Sequence, residues 1–273
     1  MAHRLRLLGL ASLATHAVSL RAVLVTGGNK GIGRAICRRI VADHDDAFVF
    51  LGSRDAARGV AAVESIVADV PSAAGRIAPV TLDVTDDASV AAAAASVRES
   101  LPDGAASLYA VCNNAGVGFG RSIAETLATN TYGVKRVCDA FVPLLDPAAG
   151  RVVNIASASG PIYVSSQPSG EAQAFFTEAG ETDWPGLEAE MQKCAAMTDY
   201  EGVSYGLSKA CLTVCVSVLQ WRGQEVSRSC RPARKRRSGR GADDVLCASS
   251  DRVRHPLPEP ARPRLPRPPP VFL

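Results

Sequence analysis

Long apolar runs are missing from this 273-residue chain. None reaches the ~18 residues that a membrane-spanning helix needs, so no membrane partner is expected. Histidine is scarce, at four, and the eight cysteines are scattered with no CxxC pair and no Cys/His cluster of zinc spacing. That pattern gives no metal site. Cys211 and Cys215 lie one helical turn apart in an apolar stretch, which reads as reduced core thiols in a reducing compartment. Aromatic residues make up only 5%, and none interleaves with the basic run Arg234 to Arg237 as single-strand binding requires. Nucleic acid is therefore not an expected partner. The net charge of +3 hides an imbalance: the last 52 residues hold 13 basic and 5 acidic side chains, and the first 221 hold 17 and 22. Any attraction to polyanions would come from the tail alone.

Glycine, by contrast, is concentrated where it matters. Ala22 to Arg38 reads AVLVTGGNKGIGRAICR. Val23, Leu24 and Val25 make a short buried strand that Thr26 ends; Gly27, Gly28, Gly31 and Gly33 follow, and Ile36 and Ile40 have the spacing of a helix on a sheet. Strand, glycine turn and helix in that order suit a dinucleotide pyrophosphate, because glycine lets the backbone come close and the helix start offers free N–H groups and a positive dipole end.

The same rhythm repeats. Strands are expected at Phe48 to Leu51, Ile77 to Leu82, Leu108 to Cys112 and Arg151 to Ala156. Helices are expected at Ala56 to Val70, Ser89 to Leu101 and roughly Ser122 to Leu145. Such alternation means an α/β fold, a Rossmann-type doubly wound parallel sheet whose ligands bind beyond the carboxyl ends of the strands. Residues 160–202 interrupt it with Pro161, Pro168 and Pro185, and only Leu187 to Met197 reads clearly as helix; this is a lid or a disordered insertion. Val203 to Leu219 is again an apolar helix. The expected organisation is a leader over 1–21, an NADP-binding domain over 22–222 and a basic, Pro/Arg-rich disordered tail over 223–273. The leader is either a targeting segment or a disordered extension. The chain is accordingly read as cytoplasmic, with mitochondrion or plastid as the alternative.

Charge argues the cofactor. An acid commonly ends the second strand where a free ribose 2′-hydroxyl is held. Here Ser53-Arg54 stands there, with Arg58 a turn onward and Lys30 in the glycine turn. Three cations suit a 2′-phosphate, hence NADP(H), unless they are ordinary surface charges. Asp83, in Leu82-Asp83-Val84, can accept from an adenine amino group or cap the helix starting at Asp86. Asn113-Asn114-Ala115-Gly116 sets two short polar side chains after the fourth strand. Ser157 follows the fifth, and Tyr205 and Lys209 share one helix face. An ammonium beside a phenol favours the phenolate, which suits proton exchange near neutral pH.

TGGNKGIG, LDV, NNAG, VVNIAS and YGLSK, in that order, resemble the short-chain dehydrogenase/reductase family. GSRDAARG and TNTYGVKRVCDAFVPLL resemble its NADPH-dependent carbonyl reductase branch, and the likeness covers roughly Ala22 to Leu219. The resemblance implies that Tyr205 is the general acid/base, that Lys209 promotes its ionisation and holds the nicotinamide ribose, that Ser157 orients the carbonyl, and that Asn130 supports a proton-relaying water. It implies cofactor contacts from Gly27, Asn29, Lys30, Gly31, Ile32, Gly33, Arg54, Arg58, Asp83, Val84, Asn113 and Asn114. It also implies a monomer, with 160–202 lining the substrate cleft. Ala156 replaces the first serine of the family's pair. The sixth and seventh strands and the Pro-Gly turn expected after Trp221 are not legible; nine of the seventeen prolines fall after Arg231, as a shifted frame or splice change would produce. The expected function is reduction of aldehydes, ketones or quinones with NADPH, with a truncated homologue that holds NADP(H) weakly as the alternative.

Overall fold

A computed structural model describes residues 20–118, 120–167, 170–178, 182–196, 203–229 and 245–248. Six parallel strands form one sheet in the order β3-β2-β1-β4-β5-β6. They are β1 (Arg21–Val25), β2 (Ala47–Ser53), β3 (Ile77–Thr81), β4 (Leu108–Asn113), β5 (Arg151–Ile155) and β6 (Val245–Ala248). The helices are α1 (Gly31–Asp43), α2 (Ala56–Asp69), α3 (Asp87–Glu99), α4 (Ile123–Leu127), α5 (Gly133–Phe141), α6 (Ser159–Ser165), α7 (Gly170–Thr177), α8 (Trp184–Ala195) and α9 (Val203–Ser229). This is the doubly wound Rossmann arrangement expected from the alternation.

The period of two in β1 divides the core. Ala22 and Leu24 face one way, with Phe50, and meet Val90 and Val97 of α3 and Val137 and Phe141 of α5. Val23 and Val25 face the other way, with Val49 and Leu51, and meet Cys37 and Val41 of α1 and Ala62 and Ile66 of α2. Helices therefore cover both faces, and the strand ends are left for ligands. Pro79 lies in β3, the edge strand, where a missing N–H costs no ladder bond. Local signals fix several starts: Asp55 caps α2, Asp86 caps α3 and Ser122 with Glu125 forms a capping box on α4.

Three expectations are corrected. The segment over 160–202 is more helical than its composition suggests: α6, α7 and α8 all form, because Phe176, Leu187, Met191 and Cys194 find a common partner in Leu207, Cys211 and Cys215 of α9. Tertiary burial here overrides weak local periodicity. The long helix read over Ser122 to Leu145 is broken by a π turn at Ala128–Tyr132 between α4 and α5. The tail is not irregular throughout beyond Gly223, since α9 continues to Ser229 and Val245–Ala248 forms β6, in register with β5 from Val152↔Val245 to Ile155↔Ala248. Four residues suffice because β5 supplies a ready template of backbone donors and acceptors. The leader over 1–19, the basic run Arg234 to Arg237 and the proline-rich end lie outside the described residues.

Among the described residues six cysteines are buried and free: Cys37, Cys112, Cys138, Cys194, Cys211 and Cys215. Burial pushes the thiols of Cys37 and Cys138 up to about 12, those of Cys112 and Cys194 up to about 11, and those of Cys211 and Cys215 higher still. Each raised thiol keeps its proton in the fold while the unfolded chain begins to ionise near ~8.5, so this stability is intact below that pH and is lost as pH rises, by ~1.4 kcal/mol per unit per thiol. Urea midpoints should therefore fall from pH 8 to pH 10.5, and Cys211→Ala with Cys215→Ala should flatten the slope. An unchanged slope in the double variant would contradict the burial.

Candidate active site

The glycine turn is fixed from behind. Gly27 sits at φ +64°, and a Cβ there would lie 2.9 Å from Ala115 Cα; a Cβ on Gly33 would lie 2.3 Å from Gly27 O. Neither position tolerates a side chain, so β4's loop and the start of α1 close against the turn. Thr26 is the hub: its Oγ1 accepts from the N–H groups of Asn114 (3.0 Å) and Ala115 (2.9 Å). Asn114 Nδ2 donates to Thr26 O at 2.9 Å and Gly27 O at 3.2 Å. The outer side is open. Lys30, at the N-cap of α1, makes no side-chain cap bond, a Cβ on Gly31 would meet nothing within 4 Å, and Ile32 is 65% exposed. Asn29 lies between, half-buried in the same turn. The free first-turn N–H groups of a 13-residue helix form an anion site.

Lys30, Arg54 and Arg58 are all exposed. Arg54 Nε is 4.0 Å from Asp83 Oδ2, and Arg58 Nε is 3.5 Å from Asp55 Oδ2. Both guanidiniums are largely exposed, so these pairs are weak. Among the described residues Lys30 makes no ion pair. Asp83 is not the cap of α3; Asp86 is. Asp83 Oδ1 accepts from the Thr85 N–H (2.9 Å) and hydroxyl (2.7 Å). Val84 is buried and packs on α5, where a Cβ on Gly133 would lie 2.9 Å from Val84 Cγ2.

Beyond β4 and β5 the polar residues divide into supports and exposed groups. Asn113 is buried, its Nδ2 donating to Asn154 Oδ1 at 2.9 Å, so it ties β4 to β5. Asn130 lies in the π turn; its Oδ1 accepts from Val117 N–H at 2.8 Å, and its Nδ2 donates to Val117 O and Ser208 Oγ, both at 2.9 Å. Ser157 Oγ accepts from the Ser159 N–H at 3.2 Å at the entry to α6. Tyr205 and Lys209 come from α9, which α6 holds close: a Cβ on Gly160 would lie 3.0 Å from Lys209 C, and one on Gly206 3.1 Å from Ser159 O. Ser159, two residues after Ser157, thus lies against Gly206, the neighbour of Tyr205. Lys209 is 7% exposed; its Nζ donates to Ile155 O at 2.7 Å and lies 5.7 Å from the centroid of the Tyr205 ring. Burial pushes Tyr163 up to about 12, and Tyr132 is also raised by burial, so both stay protonated. The bracing roles of Thr26, Thr131, Asn154 and Ser208 escaped the sequence reading, because the partners lie tens of residues away.

Residues 21–170 match the short chain dehydrogenase family, and the chain belongs to that family. Among individual relatives it is 32% identical over 169 residues to (+)-neomenthol dehydrogenase of Arabidopsis thaliana, across 52% of this chain and 55% of that one. It is 37% identical over 152 residues to carbonyl reductase [NADPH] 1 of Pongo abelii, across 50% and 49%. The chain spans about half the length of the curated relatives it matches. Its fold is similar to the NADPH-bound carbonyl reductase from chicken fatty liver, with a TM-score of 0.53 and 26% identity over 76% of this chain and 72% of that one. Carbonyl reductases and a neomenthol dehydrogenase are thus among the relatives of this member of the short-chain family.

Removing the brace behind the turn tests its role. Asn114→Ala leaves Thr26 O and Gly27 O without their amide donor and should cost about 1–3 kcal/mol of unfolding free energy. Urea denaturation measures it, and an unchanged midpoint would show that the turn holds itself.

Proposed function

We propose that the chain reduces aldehydes, ketones or quinones with NADPH, using Ser157, Tyr205 and Lys209. The observation that carries this is the buried Lys209 ammonium, held on Ile155 O one turn along α9 from Tyr205. The donor set fits the cofactor. Gly27 to Gly33 and the uncapped start of α1 suit the pyrophosphate; Lys30, Arg54 and Arg58 suit a 2′-phosphate. When bound, NADPH supplies a hydride to the carbonyl carbon. Ser157 Oγ donates to the carbonyl oxygen and holds it. Tyr205 gives that oxygen its proton as negative charge develops there. Lys209 stabilises the phenolate left behind and, with its remaining hydrogens, holds the ribose. Asn130 has both amide hydrogens engaged, so a water relaying a proton to Lys209 would meet its backbone carbonyl. The lid helices α7 and α8 cover α4 and α9, which supports a monomer acting on small carbonyl substrates.

The second reading, a homologue that holds NADP(H) weakly without chemistry, is favoured by one observation. Among the described residues, only the four-residue β6 follows α9.

Two outcomes are expected. Calorimetry should give tighter binding for NADPH than for NADH, and Arg54→Asp should narrow or reverse the preference because an acid repels the phosphate. Equal affinities in the parent would remove the cation assignment. Tyr205→Phe should keep NADPH affinity while quinone turnover falls by orders of magnitude; retained turnover would make Tyr205 a packing residue.

A further inference from the structure

Between Tyr205 and Lys209 stands Ser208, fully buried and with its hydroxyl used twice. Ser208 Oγ accepts from Asn130 Nδ2 at 2.9 Å and donates to Tyr205 O at 2.8 Å. Its own carbonyl accepts from Thr131 Oγ1 at 3.1 Å. Asn130 and Thr131 are consecutive and buried, and both belong to the π turn Ala128–Tyr132, where the Gly133 N–H donates to Ala128 O five residues back. A π turn interrupts the regular helical ladder and is held only where its surroundings favour it. Here two side chains of the turn reach the same residue of α9.

Resting on the reading that Tyr205 and Lys209 move the proton, we propose that Ser208 is a positioning residue that clasps the π turn to α9 and keeps Asn130 in register with Lys209. The small hydroxyl can do this because it is both acceptor and donor on a short stem. Alanine at the same place fits the space but leaves Asn130 Nδ2 with an unmade bond in a dry interior. The turn then loses one of its two attachments, and Asn130 loses its tie to the residue next to Lys209. The effect falls on the proton path, not on carbonyl binding.

The test compares the parent, Ser208→Ala, Ser208→Thr and Tyr205→Phe, all as the full chain. The first readout is hydrogen exchange of the cofactor-free protein. Peptides spanning 127–133 should exchange about tenfold faster in Ser208→Ala than in the parent, and Ser208→Thr, which restores the hydroxyl, should return toward the parent. The second is quinone reduction, where Ser208→Ala should lower kcat about tenfold with KM within twofold, and Ser208→Thr should recover most of it. If Ser208→Ala unfolds, Thr131→Val, which removes the other attachment without changing shape, is read by the same exchange measurement. Parental exchange at 127–133 in Ser208→Ala, or in Thr131→Val where that stands in, overturns the clasp. So does a parental kcat alongside a dead Tyr205→Phe. Retained turnover in Tyr205→Phe instead overturns the proton-transfer reading, and exchange still decides the clasp.

Discussion

A buried ammonium needs oxygen around it, and the site depends on where Lys209 finds one. Its Nζ is held on Ile155 O, the last carbonyl of β5, at 2.7 Å. That contact fastens the long helix α9 to the carboxyl edge of the sheet. Everything else at the edge is arranged to permit it. Gly160 and Gly206 let α6 lie directly on α9, the Asn113–Asn154 pair ties β4 to β5, and the π turn brings Asn130 and Thr131 onto Ser208. A desolvated charge is costly, and a fold retains one where the charge is used.

The two ends of the site are built differently. At the glycine turn the precision is steric, with Cβ atoms excluded at Gly27 and Gly33 and the backbone braced by Thr26 and Asn114. The cations there are loose and solvent-facing, which suits capture of a phosphate more than fine positioning. At the tyrosine end Lys209 is buried, Tyr205 and Ser157 are half-buried, and Lys209 and Ser157 are held by hydrogen bonds. The helices α7 and α8 pack Phe176, Leu187 and Met191 against α9 behind the tyrosine end.

Much of this was legible in the residues, and what was not has physical causes. Strands β1 to β5 follow from short apolar runs ended by turn residues, and α1 to α3 from their spacing, with Asp55 and Asp86 capping α2 and α3. SGPIYVS and GEAQAFFT carry no helical period of their own, so α6 and α7 depend on burial against α9. VLCA is too short to announce a strand without β5 beside it. Asn113 has the right type and place in the chain for a ligand contact, yet its amide turns inward to Asn154, a choice only the paired strands decide. The clasp at Ser208 joins residues 77 and 78 positions apart, beyond any local pattern.

Hydride transfer itself is the most direct measurement. The full chain is mixed with NADPH carrying deuterium at the transferred position and with a panel of small aldehydes, ketones and quinones. Mass spectrometry of the products is then compared with that from Tyr205→Phe. The account predicts products carrying one deuterium from the parent and none above background from the variant. A parent that binds NADPH yet passes no deuterium to any carbonyl would contradict it and leave a binding protein.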